Sequence, residues 1–106
     1  MTTVTFYRTQ DGRLSAVDLL GHAGYAEEGE DIVCAAVSSA VQLTANGITE
    51  VLGLQARVRA EDDTVSLRLD DSANREAEAF LKALQLHLSV LSEDYPKNVK
   101  LTCTEV

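Results

Sequence analysis

Apolar residues in this chain switch between two periods, and the order of the switches leaves few folds open. Val4 and Phe6 alternate with polar neighbours, and Leu14, Ala16 and Leu19 follow after a polar break. Asp11-Gly12 between them is a tight hairpin signal, so this segment reads as two paired strands. From Val33 the period becomes helical, through Val37, Ala40/Val41, Thr44, Ile48 and Val51/Leu52. Alternation returns at Ala56, Val58 and Ala60, set between Arg57 and Arg59. The polar turn Glu61-Asp62-Asp63 then leads to Val65, Leu67 and Leu69, a second hairpin. Helical spacing resumes with Ala77, Phe80, Leu81, Leu84, Leu88 and Leu91. Pro96 breaks the chain, and Val99, Leu101 and Cys103 alternate as a last strand with Cys103 facing inward. The order β-β-α-β-β-α-β predicts an α+β fold, two helices packed on an antiparallel or mixed sheet. Residues 1–106 make one domain, with no linker, repeat or low-complexity stretch to divide it.

Helix ends follow from short-range chemistry. Asp31 stands where a side chain can cap the first helix, and Gly53 where a C′ glycine belongs. The second helix is expected to open near Asp71 or Ser72. It also carries a second apolar row, Ala79, Ala83, Leu86 and Val90, on another face. A helix apolar on two faces has to bury both. Either the sheet wraps it, or the second row is the interface of a homodimer.

Charge narrows the partners. Nine basic residues against seventeen acidic give a formal net charge of −8, and the basic ones are scattered along the sequence. Phosphate backbones are held by clustered Lys and Arg, so direct nucleic-acid binding is not expected; a basic protein segment is the favoured partner. No apolar run is expected to approach the roughly 20 residues that span a bilayer, and the N-terminus has no signal-peptide layout. The two cysteines, Cys34 and Cys103, lack CxxC spacing. A reducing cytoplasm and no structural disulfide are the expectation.

The chemistry concentrates between Gly21 and Ala40. His22, flanked by Gly21 and Gly24, sits where the second strand ends, and Cys34 near the start of the first helix. With Asp31 as cap, Cys34 falls at about the third helical position, where free amides and the helix dipole favour a thiolate or a developing oxyanion. The bland alternatives are a core cysteine in an ordinary apolar turn and a surface histidine. Asp31 is either a cap or an orienter of His22, and capping needs less. Ser38 shares the helix face of Cys34 and either contacts the site or bonds its own backbone. Gly24 and Gly29 punctuate the loop expected at 21–31, whose acidic residues Glu27, Glu28, Glu30 and Asp31 are solvated or attract a basic segment. Paired metal-ligand spacing is missing, so no metal or cofactor is expected. His87 reads as a helix-surface or interface residue.

In GHAGYAE at the strand end and GEDIVCAAVSSAV at the helix start, the chain resembles the ribosomal-processing cysteine protease family (Prp). The resemblance runs over nearly the whole length and includes the element order. It implies a homodimeric endopeptidase that removes an N-terminal extension from a large-subunit ribosomal protein precursor. Cys34 would then be the nucleophile and His22 the general base, with Asp31 and Ser38 at the same site. Outside that resemblance stand two other readings, a non-catalytic ribosome-associated adaptor binding the same precursor and a thiol redox sensor. His22 between glycines is a feature that neither of them requires.

Overall fold

The computed structural model describes residues 1–21, 28–61 and 64–105, with the backbone alone at 28–31. Five strands, β1 (Thr2–Arg8), β2 (Leu14–Leu20), β3 (Ala56–Glu61), β4 (Thr64–Leu69) and β5 (Val99–Glu105), form one sheet in the order β3-β4-β2-β1-β5. Neighbours are antiparallel except β1 and β5, which run parallel, so the sheet is mixed. Helices α1 (Glu28–Asn46) and α2 (Arg75–Asp94) follow the two hairpins, which is the element order that the alternating periods predict. A single π-turn over Gly47–Val51 extends α1, and Gly53 follows with φ +67, the left-handed conformation expected of a C′ glycine.

Both helices lie on one face of the sheet, and one continuous core joins them to it. Val4 and Phe6 of β1, Val17 and Leu19 of β2 and Leu67 of β4 meet Val33, Val37, Val41 and Ile48 from the first helix and Ala77, Leu81, Leu84 and Leu88 from the second. The strand residues are those that pair across the register: Phe6 faces Val17, Val4 faces Leu19, and Val17 in turn faces Leu67. Where the helices meet, Gly47 lets them close together. A Cβ at that position would fall 2.3 Å from the Phe80 ring, so a larger residue would force the ring or the backbone to shift.

The segment Ile32–Val51 is long and apolar enough to cross a membrane by length and composition, contrary to the sequence expectation. Its packing explains the apolar content. Val33, Val37, Val41, Ala45 and Ile48 form the buried stripe of a core helix, while Ser38, Ser39, Gln42, Asn46 and Glu50 lie at least partly open along its other sides.

Two helix starts differ from expectation. α1 begins at Glu28, so Asp31 lies within its first turns and is not the cap. Acidic residues are as favourable in a first turn as at a cap, and Glu28-Gly29-Glu30 extends the helix backwards. Gly29 therefore belongs to the helix and not to a loop, whereas Gly24 lies outside the described residues. At α2 the cap is Asn74, whose Oδ1 accepts from the Ala77 N–H at 3.0 Å. Asp71 instead accepts from the Ala73 N–H at 3.0 Å and closes the turn that precedes the helix.

The other face of the sheet is polar. Tyr7 Oη donates to Asp18 Oδ2 at 2.8 Å, and Arg68 reaches the same carboxylate at 3.3 Å while lying over the Tyr7 ring. The hydrogen bond to Asp18 is the main reason that the Tyr7 phenol ionises above its ordinary 10.0, with burial and the Asp18 charge adding to it. A raised native value favours folding while the phenol is neutral. That contribution is complete below the unfolded value and is lost as pH rises through the folded one. Asp18→Asn should therefore lower the midpoint of Tyr7 ionisation, read by ultraviolet titration against wild type.

Candidate active site

Cys34 sits almost two turns into α1, with its side chain half-buried against β1. Val33 and Val37 on either side of it are fully buried and fix the helix on the sheet. Cys34 is thereby held on the flank of the helix, where it meets an open groove of about 470 Å³. One wall is α1, with Cys34, Ser38, Val41 and Gln42 in succession; the other is the inner face of the sheet, with Leu19, Val65, Val58 and Ala60.

The groove exists because β3 is an edge strand with small side chains on its inner face. Ala56, Val58 and Ala60 pair opposite Leu69, Leu67 and Val65, in phase with the core. Leu67 is fully buried, yet Val58 is 47% exposed. An apolar trough open along one side and ending at a thiol is suited to an extended peptide with apolar side chains.

The position of Cys34 changes the electrostatic expectation. Only the first turn of a helix has free amides, and the dipole's influence fades over the same distance. With α1 starting at Glu28, the amide of Cys34 lies beyond that turn. The helix start therefore gives neither the oxyanion donors nor the direct thiolate stabilisation that a cap at Asp31 would have placed there.

A different group touches the sulfur. Thr2 Oγ1 lies 3.4 Å from Cys34 Sγ, in a residue only 6% exposed. Sequence reasoning passed over Thr2, although a signal was present: it is in phase with Val4 and Phe6, a hydroxyl on the buried register of its strand. Gly21 explains how β1 and β2 come so close here. It has φ +93, and a Cβ on it would stand 2.7 Å from the Met1 carbonyl oxygen, so only glycine lets the chain leave β2 in this way.

Of the sequence-predicted residues, Cys34 and Ser38 come together along one wall of the groove, and Gly21 lies at the same end of the sheet as Thr2. Asp31 belongs to the helix, and His22 and Gly24 lie outside the described residues. Sequence reasoning missed the sheet wall, Val58, Ala60 and Val65, along with Gln42. Cys103, expected to face inward, is exposed on the open edge strand β5, on the pleat face of Val99 and Leu101. His87 is exposed on α2, as a helix-surface residue should be.

Residues 1–100 match the model of the family described as cysteine protease Prp. The ribosomal processing cysteine protease Prp of Bacillus subtilis is 26% identical over 108 residues, covering 96% of each chain. Two crystal structures of the Staphylococcus aureus ribosomal processing protease Prp share the fold at 28% identity, each covering 97% of this chain and 99% of that one. The complex with a substrate peptide superposes with a TM-score of 0.91, and the one carrying a covalently linked product peptide with 0.87.

Proposed function

The chain belongs to the cysteine protease Prp family, and from that premise we propose that Cys34 and His22 form the nucleophile and base of an endopeptidase that trims a ribosomal protein. The observation that carries the reading is a free, half-buried thiol on the wall of an apolar groove open along one side. His22 takes the Cys34 proton and the sulfur attacks the scissile carbonyl. The proton returns to the leaving amine, and water then releases the acyl group from sulfur. The substrate is the N-terminal extension of a large-subunit ribosomal protein precursor. A formal charge of −8 suits association with a basic ribosomal protein in the cytoplasm.

The test incubates the protein with such a precursor and reads the products by mass spectrometry. A shortened precursor with a single new N-terminus supports the proposal. Binding without any cleavage would favour the adaptor reading, and intact precursor without binding would remove both.

The second apolar row of α2 supports a homodimer within the same proposal. Leu86 is 68% and Val90 50% exposed, with Ala79 and Ala83 open along the same helix. Burying this row against a second copy would remove it from water. Light scattering at micromolar protein should give twice the chain mass, and Leu86→Glu should return it to the monomer value. A monomeric wild type would count against the interface.

A further inference from the structure

We propose that the Thr2 hydroxyl is a positioning group for the nucleophile, donating a hydrogen bond that holds the Cys34 sulfur as a thiolate aimed into the groove. This rests on the reading of Cys34 as the nucleophile. Thr2 is well placed to do it. Its amide donates to the Asn98 carbonyl at 2.8 Å, its backbone is paired opposite Val99 and Leu20 flanks it on the neighbouring strand. With the residue 6% exposed, little water competes for the hydroxyl, whose contact is the sulfur at 3.4 Å.

While Cys34 is a thiol, either group can donate across that distance. Once the proton has gone to the base, sulfur can only accept, and Thr2 Oγ1–H becomes the donor of a charge-assisted bond. A hydrogen bond made to the charged form favours that form. The hydroxyl keeps its own proton throughout and takes no part in the transfer. Its effect replaces part of what a helix N-terminus would have supplied had α1 started at Asp31.

Such a bond has consequences of opposite sign on the two sides of the titration. Removing it leaves less thiolate at low pH. The thiolate that remains is less stabilised and so more nucleophilic, because reactivity rises with basicity. A change of packing would alter access to the sulfur and move the rate in the same direction at every pH, so the crossing of the two profiles separates the two causes.

The experiment measures alkylation of Cys34 by iodoacetamide, located by mass spectrometry, in a Cys103→Ser background that removes the exposed second thiol. Thr2→Val keeps the shape and removes the hydroxyl; Thr2→Ser keeps the hydroxyl. The Val variant should react about threefold more slowly than its parent near pH ~6 and no more slowly near pH ~10, with the Ser variant close to the parent at both. Parallel profiles for Val and parent, or a Ser variant as slow as Val, would overturn the proposal. If Thr2→Val melts below the assay temperature, Thr2→Ala carries the same comparison. The readout needs no peptidase activity, so it stands apart from the test of Cys34 as nucleophile, which is the loss of cleavage in Cys34→Ala.

Discussion

Cys34→Ala should lower precursor cleavage by about 10⁴-fold or more, because removing the proposed covalent nucleophile takes away the step on which the rest of the machinery acts. The fold should hardly notice. Cys34 is half-buried on the flank of α1, between the fully buried Val33 and Val37 that fix the helix. Alanine is at least as good in a helix and leaves only a small gap toward Thr2. Thermal melting of the variant should therefore stay within a few degrees of wild type while mass spectrometry finds the precursor intact. Cys34→Ser tests the chemistry more finely, since a hydroxyl in the same place needs a far stronger base and should be nearly as inactive. A Cys34→Ala protein that still produced the shortened precursor would move the nucleophile elsewhere. Cys103, exposed on β5 and away from the groove, would then have to be tested in turn.

The periods of the apolar residues made the architecture readable. Each strand register seen in the sheet, such as Val4 opposite Leu19, joins residues that alternate in the sequence, and the buried stripe of α2 is the row from Ala77 to Leu88. Helix starts were harder. Around both starts several acidic or amide residues stand within a few positions, and capping energies of about 1 kcal/mol do not separate them without the turn geometry. The groove was not legible. It depends on β3 ending at the sheet edge, and that position follows from pairing between β4 and β2, which are far apart in the sequence. Ala56, Val58 and Ala60 look like any inward-facing alternation; only the exposure of Val58 and Ala60 shows that they line an open groove, while Ala56 packs against the core. Thr2 was hidden for a similar reason, since its partner is 32 positions away and the contact exists only after the sheet has formed.

Cys34 and Ser38 show how much the site depends on the core beneath it. The residues that aim them, Val33, Val37 and Val41, belong to the cluster that includes Phe6 and Leu81. Distortion of that cluster would tilt α1 and change the width of the groove. Stability and activity are thus linked through one helix, and a variant that weakens the core without touching the groove can show how tightly.

Phe6→Ala is that variant. Phe6 is completely buried in β1, paired with Val17 on one side and Cys103 on the other, and it does not line the groove. Losing a buried phenyl ring forfeits its transfer energy and leaves a cavity, together about 3–5 kcal/mol. Rigid neighbours on both the strands and the helices leave little room for the cavity to collapse, which argues for the upper part of that range. For a domain of this size each kcal/mol lowers the melting temperature by roughly 4 °C or more, so a fall of about 15 °C or more is expected in calorimetry. Stability of a small domain is itself only about 5–15 kcal/mol, so a large share of the molecules would be unfolded on mild warming. Cleavage per folded molecule, measured well below the new midpoint, should stay within about twofold of wild type if α1 keeps its seat on Val33, Val37 and Val41. A turnover that falls much further at full folding would mean that the cavity reaches the groove through the helix, and that core packing sets the alignment of Cys34 as well as the stability of the fold.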